Sequence, residues 1–336
     1  MPLLRVLVVG VGSIGERHLR CLLQTARATV GLCEVNETLR RAIAMRYGVE
    51  QAYATLESAL EHRWDAAVVA TPAHTHIGIS RKLAERGVHL LIEKPLSVGI
   101  DGIRELAEDV RRQRLATAVA YVHRTHPALA AMRGALLSGR FGKPLQLVSM
   151  SGHHFASARP AYPQTYFADR DKGGGAIQDA LTHSINAGEW LVGPIDRVSA
   201  DAAHQSLAGV NVEDTVHLVA RHGPVMGAYV LNQYQMPEEF HITVTCEGGT
   251  ARYEPGHDRW RWMDTPGGAW HDESSPPLER DDWFALQANQ FLDVVQGNAD
   301  PLCALEEGLQ TLRVNLAALR SVERGGAPIL IEEIAS

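Results

Sequence analysis

Leu4–Gly15, LRVLVVGVGSIG, is the stretch whose reading decides the fold of this chain. Leu4 to Val9 form a short β-branched run that ends at Gly10, and such a run reads as a buried strand. Beyond it, Ile14, His18, Leu19 and Leu22 recur on one side of a helix. Between strand and helix stands Gly10-Val11-Gly12-Ser13-Ile14-Gly15, a match to G-x-G-x-x-G. The match is weak alone and gains meaning because it follows a strand and opens a helix. Gly10 allows the tight turn. Gly12 has no Cβ, so a pyrophosphate can approach the backbone, and Gly15 lets helix and strand pack closely. The free N–H groups around Ser13 and Ile14 and the positive helix end then hold the phosphates.

Further along, strands alternate with helices. ATVGLC is followed by a helix from Asn36 to about Tyr47. DAAVVA, Asp65 to Ala70, is followed by a helix from His74 to Arg86, with Gly87 where a C-cap belongs. VHLLIE precedes a helix from Ser97 to Arg112, and ATAVAY closes the half. This alternation predicts a Rossmann-type, doubly wound parallel sheet covered on both faces. Glu34, about twenty residues after the glycines at the end of the second strand, is placed to accept hydrogen bonds from the adenosine ribose and to repel a 2′-phosphate. That favours NAD over NADP. Arg40 and Arg41 pull slightly the other way, or simply form the outer face of the second helix.

The 336 residues predict about two domains, and 45% apolar with 21% charged residues is ordinary for a globular chain. A net charge of −7 without long runs of one sign argues against nucleic acid or an anionic membrane as partner. Cys21, Cys33, Cys246 and Cys303 are too dispersed for a C-x-x-C site and fit reduced thiols of a cytoplasmic protein. No apolar run is long enough for a membrane span. The N-terminal run carries Arg5 and reads as a strand rather than a signal peptide.

The pattern changes after Tyr121, giving an expected division into residues 1–122 and 123–336. A helix, PALAAMRGALLSG, leads to the strand LQLVSM, then to a Gly-rich loop and a helix around Asp179 to Leu191. RVSADAA, DTVHLVAR, VMGAYVLNQY, HITVTC, TARYE and RWRWM follow as strands with short turns. They predict a large, mainly antiparallel sheet open on one face, within a C-terminal α/β domain. Trp260 and Trp262 read as packing or subunit contact. Two helices, Phe284 to Val295 and Leu305 to Arg324, end the chain before PILIEE.

Three segments together, GVGSIGERH, ATPAHTHIGISRKLAERGVHLLIEKPLS and GGGAIQDALTHSINAGEWLVG, resemble the glucose–fructose oxidoreductase/inositol dehydrogenase/MocA (Gfo/Idh/MocA) oxidoreductase family. LCALEEGLQTLRVNLAALRS resembles that family's usual C-terminal helix, so the similarity spans nearly the whole chain. The resemblance implies NAD(P)-dependent oxidation or reduction of a sugar or cyclic polyol, and homodimers or homotetramers built on the open sheet face. It also implies that Lys94–Pro95 lines the cofactor, often with a cis bond.

LLIEKP, Leu90 to Pro95, ends a parallel strand where such sheets bind ligands. Lys94 would stabilise the alkoxide that develops on a substrate hydroxyl, and Glu93 would position or partner it. Thr71, Pro72 and His76 would shape the nicotinamide side, His76 being equally readable as a satisfied helix-start histidine. His183 is the expected proton acceptor, since imidazole titrates near neutral pH. Asp179, four residues earlier, shares a helix face with it and would hold a substrate hydroxyl. Lys94 and His183 are expected to converge on the nicotinamide. Where the family often has Gly and Asp, this chain has Leu181 and Asn186; the leucine bears on pocket width, the asparagine on charge. Tyr121, His123, Arg124, Tyr162 and Tyr166 are candidate substrate contacts, as is Arg170, or they pack their loops. His153-His154 suggests a metal, but adjacent strand residues face opposite ways and no carboxylate completes a site. Two other functions share these features: a redox-neutral, NAD-dependent glycoside-cleaving enzyme, and a non-catalytic dinucleotide-binding sensor or repressor.

Overall fold

A strand covered on both faces must be apolar throughout, and Leu4–Val9 becomes β1, the centre of a parallel sheet, in the computed structural model, which describes residues 3–334. In chain order the following elements are α1 (Ser13–Gln24), β2 (Ala28–Cys33), α2 (Glu37–Tyr47), β3 (Ala52–Tyr53), α3 (Leu56–Ala59), β4 (Ala66–Val69), α4 (His76–Ala84), β5 (His89–Ile92), α5 (Ile103–Gln113) and β6 (Thr117–Val119). Next come α6 (Pro127–Leu137), β7 (Pro144–His154), α7 (Phe155–Ala158), α8 (Thr182–Val192), β8 (Arg197–Ala203), β9 (Thr215–His222), β10 (Val225–Asn232), β11 (Tyr234–Cys246), β12 (Gly249–Glu254), β13 (Arg259–Met263) and β14 (His271–Ser274). The chain finishes with α9 (Arg280–Val295), α10 (Leu305–Glu323) and β15 (Ile329–Leu330).

The chain forms two compact units. The first joins Met1–Val122 with Leu278–Leu309, and the second joins His123–Pro277 with Gln310–Ser336. A division by chain position at residue 122 puts Leu278–Leu309 in the second unit. Its contacts place it in the first: Asp281 takes the Arg20 guanidinium at 2.5 and 2.7 Å and Arg17 at 2.9 Å, while Arg27 reaches Asp293 at 2.6 Å. Phe291 and Leu292 of α9 enter the same core as Val6, Val8, Leu19 and Leu22.

In the first unit the strand order is β3-β2-β1-β4-β5-β6, all parallel, with Val6 opposite Val30 on one side and Ala66 on the other. Among the described residues the second unit holds nine strands in the order β14-β13-β12-β11-β7-β10-β9-β8-β15. All its pairs are antiparallel except β10 with β7. Alternation sets its faces: Val216, Leu218 and Ala220 of β9 are buried, whereas Val219 is 59% exposed.

Local physics moved several boundaries. The helix expected from Ser97 starts at Ile103, because Gly102 takes a left-handed φ of +74° that no helix interior accommodates. The one expected from His74 begins with a tight turn at Ala73–Thr75. HITVTC is only the end of a 13-residue strand whose pairing is irregular between Tyr234 and Glu239. Among the described residues no helix is long and apolar enough to cross a membrane. Trp260 is buried, and the Trp262 ring receives the Arg140 guanidinium at 3.8 Å.

Candidate active site

Three glycines shape the turn between β1 and α1, each differently. Gly10 has φ +82°, and a Cβ there would stand 2.9 Å from the Ala70 carbonyl oxygen. On Gly15 a Cβ would stand 1.9 Å from the Gly10 carbonyl oxygen, so no side chain fits. On Gly12 it would meet nothing within 4 Å among the described residues. Gly12 is also the N-cap of α1 and provides no side-chain cap. The first turn of that 12-residue helix is therefore left without a side-chain cap, with Gly12 and Ser13 exposed, a cradle that suits the pyrophosphate of a dinucleotide.

Glu34, just beyond β2, accepts from the Val11 N–H at 3.0 Å and from the Asn36 N–H at 2.9 Å. Its carboxylate is thus fixed beside the glycine turn with lone pairs to spare for ribose hydroxyls. Arg40 donates to the Glu34 carbonyl oxygen at 2.8 Å, and Arg41 pairs with Glu37 on an exposed helix face.

Two strand-end loops follow β4 and β5. His76 joins them: its Nε2 lies 2.7 Å from the Thr71 carbonyl oxygen and its Nδ1 3.1 Å from that of Pro95. The ring is 1% exposed, and burial pushes its pKa down against these carbonyls, which pull it up. His76 thereby fixes backbone around Thr71-Pro72 and Lys94-Pro95, a bond that is cis. Glu93 is 4% exposed. One carboxylate oxygen accepts from His18 Nε2 at 2.7 Å and the other from the Lys94 backbone N–H at 3.0 Å. His18 stood in the sequence only as a member of a helix's buried side; a titratable residue in that row was the available signal.

In the second unit, Gly173–Gly175 lead into a wide, π-type turn at Ile177–Leu181 that continues as α8. Such turns recur at functional sites. Asp179 lies in this turn and His183 in the α-helix, so the expected pair straddles a change of helical pitch. Asp179 is 5% exposed and accepts from the Tyr166 hydroxyl at 2.7 Å, with Arg159 at 3.7 Å from its other oxygen. His183 stacks on His123, centroids 4.8 Å apart and planes at 15°. Arg124, 2% exposed, donates from Nε to Asn186 Oδ1 at 2.8 Å, and Asn186 donates onward to Thr311 at 3.0 Å. Thr311 in turn donates to the buried Glu189 at 2.7 Å. Asn186 therefore bridges neutrally between a buried guanidinium and a buried acid.

Glu213, 36 residues beyond Ile177, was not singled out in the sequence. It is 3% exposed, accepts from the Ile177 N–H at 3.1 Å and from Arg170 at 2.7 Å, and so caps the helix bearing Asp179. Tyr162 donates to the Ala208 carbonyl oxygen at 2.6 Å and packs among Phe155, Phe167 and Leu207. Tyr121 is 2% exposed and Leu181 fully buried. The His154 ring accepts from Ser157, and His153 packs on Phe155. No group of three or more His, Cys, Asp or Glu able to hold a metal occurs among the described residues.

Comparison with known proteins adds findings of three kinds. Residues 4–121 match a family described as "Oxidoreductase family, NAD-binding Rossmann fold", and residues 129–252 match the "GFO/IDH/MocA C-terminal domain". The chain is 24% identical over 330 residues to inositol 2-dehydrogenase of Rhizobium meliloti (strain 1021), covering 94% of this chain and 96% of that protein. It is 22% identical to D-xylose 1-dehydrogenase (NADP(+)) 2 of Haloferax volcanii, over 95% and 98% of the two chains. A levoglucosan dehydrogenase solved in complex with NADH shares the fold, with a TM-score of 0.89 at 19% identity over 98% of this chain and 99% of that one.

Proposed function

This chain belongs to the GFO/IDH/MocA oxidoreductase family, and from that premise we propose that it transfers hydride between a hydroxyl of a sugar, sugar derivative or cyclic polyol and NAD. The observation that carries the cofactor half is the open, uncapped helix N-terminus behind Gly12, with Glu34 fixed by the Val11 and Asn36 amides beside it. The dinucleotide, when bound, supplies a hydride acceptor at its nicotinamide. Gly12, Ser13, Ile14 and Gly15 would hold its phosphates through backbone N–H groups, while Gly10, whose own N–H donates to the Cys33 carbonyl oxygen at 2.8 Å, shapes the turn that presents them. Glu34 accepts from the ribose hydroxyls and repels a 2′-phosphate. Arg40 is engaged by backbone and Arg41 by Glu37, which supports NAD over NADP. NADH should bind more tightly than NADPH in a fluorescence titration; the reverse order overturns the role of Glu34.

In the oxidative direction a C–H bond breaks as its electron pair leaves with the hydride, and the O–H proton must go to a base. The Lys94 ammonium stabilises the developing alkoxide. His183 takes the proton, and Asp179, held by Tyr166, orients a substrate hydroxyl. Thr71, Pro72 and His76 keep the loops beside Lys94 in place. Tyr166, His123 and Arg124 contact Asp179, His183 and Asn186 respectively, whereas the Tyr162 hydroxyl donates to the Ala208 carbonyl oxygen. Inositol, D-xylose and levoglucosan, acted on by relatives, are the first substrates to offer with NAD. Lys94→Met should lower turnover about 10³-fold and His183→Ala by about 10²-fold or more, with NADH affinity retained. Turnover surviving both changes defeats the mechanism.

The face of the second sheet that carries Val219 and Met226, 59% and 52% exposed, is our proposed subunit contact. Val219→Asp with Met226→Asp should reduce the assembly to monomers in analytical ultracentrifugation; an unchanged mass rules this face out.

A further inference from the structure

His18 and Glu93 form a buried pair that the proposed chemistry does not use. His18 is 1% exposed and Glu93 4%. A carboxylate so far from water is stable only when its oxygens are paired. Here each oxygen has one N–H donor: the imidazole Nε2 at 2.7 Å and the Lys94 backbone amide at 3.0 Å. A carboxylate acceptor requires the proton on Nε2. The Phe284 ring stands edge-on to the imidazole, centroids 5.2 Å apart, closing it from solvent. His18 is carried by α1, whose first turn is the phosphate cradle. Glu93 is the residue before Lys94.

We propose that His18 is a positioning residue: by pairing with Glu93 it ties the backbone of Lys94 to the helix that receives the dinucleotide phosphates. This rests on the reading of Lys94 as the group facing the reacting hydroxyl. Without the imidazole, one oxygen of a buried carboxylate loses its donor, and the carboxylate is no longer held in this orientation. Its rotation releases the Lys94 amide. The ammonium then samples positions that no longer meet the transition state, and misplacement by about 1 Å can lower a rate about 10²-fold. Gln in place of His18 keeps a donor near the Nε2 position, whereas Phe keeps the ring and removes it.

Amide hydrogen exchange at Lys94 tests the hold directly, without substrate, and is measured with NADH affinity and turnover of the fastest substrate among inositol, D-xylose and levoglucosan. His18→Phe should speed exchange at Lys94 about tenfold or more and lower kcat about 10²-fold, with KM and NADH affinity within about threefold. His18→Gln should restore both exchange and kcat to within about threefold of the parent. Exchange and kcat unchanged in His18→Phe overturn the proposal, as does an equal loss in His18→Gln. Should His18→Phe fail to fold, Glu93→Met gives the decision, because it removes the acceptor of both N–H donors; parental exchange at Lys94 in that variant overturns the proposal. Lys94→Met is assayed beside them. Full turnover there defeats the reading of Lys94 itself, while the exchange measurement still reports whether His18 holds its backbone.

Discussion

The two units each open a helix with a run of glycines and use it in opposite ways. Behind Gly12 no side chain caps α1, and a Cβ on that glycine would meet nothing within 4 Å among the described residues. Behind Gly175 the corresponding position is filled by the protein itself: a Cβ there would stand 2.5 Å from the Glu213 carboxylate, which accepts from Ile177. Asp214, the next residue, fills a second concavity by accepting from the N–H groups of Gln205, Ser206 and Leu207 at 2.7 to 3.0 Å. Three consecutive amides of this kind form an anion-binding nest. One unit therefore leaves its helix start without a side-chain cap, and the other fills two such positions with its own carboxylates. A glycine-rich turn before a helix does not by itself mean a phosphate site; the occupant of the N–H groups decides.

The largest expected effect comes from removing a plug. Glu213→Ala deletes a helix cap and a charge-assisted bond to Arg170, and should lower unfolding free energy by about 3 kcal/mol, read by chemical denaturation. It should also loosen Asp179, two residues beyond the capped Ile177, and reduce kcat. A loss below about 1 kcal/mol would mean that the cap is dispensable and the contrast between the units is superficial.

How visible this contrast is in the sequence depends on the range of the interaction. The first half is legible because its determinants are local: apolar runs set parallel strands, and spacing alone marks Gly10, Gly12, Gly15 and Glu34. Lys94, Asp179 and His183 are proposed from the motifs around them, and the contacts of Asp179 with Tyr166 and of His183 with His123 are not marked by those motifs. Glu213 and Asp214 carry no local mark, since their partners lie 36 residues before and up to nine residues before them. Tyr162 and Tyr166 are indistinguishable by type and spacing, yet one packs among Phe155 and Phe167 while the other reaches Asp179. Leu278–Leu309 joins the first unit through Asp281, whose arginine partners are more than 250 residues away. The pitch change at Ile177–Leu181 is likewise a matter of backbone pairing that residue types do not announce.

The open site gives the next effect in size. Gly12→Ala adds a methyl where nothing else stands, so stability should stay within about 0.5 kcal/mol. The same methyl meets an approaching pyrophosphate and should weaken NADH binding about tenfold or more, or 1.4 kcal/mol. Isothermal titration beside a melting curve separates the two. Unchanged affinity would show that the phosphates lie elsewhere and that the helix end is merely uncapped.

The smallest effect tests the second plug through pH. Burial raises the pKa of Asp214, but the Leu207, Ser206 and Gln205 amides and the Thr215 hydroxyl outweigh it and leave the pKa below the ordinary aspartate value. The folded carboxylate then binds protons less readily than the unfolded one, so its contribution is fully present above the unfolded value and is lost as pH falls through the lowered one. Asp214→Asn keeps the shape but presents an NH2 group to one of the amides. It should cost about 1 kcal/mol at neutral pH, and the gap from the parent should close as pH drops below about 4. A gap that stays constant across acid titration would mean that shape, not charge, fills this nest, and the contrast between the units would then rest on Glu213 and its bond to the Ile177 N–H.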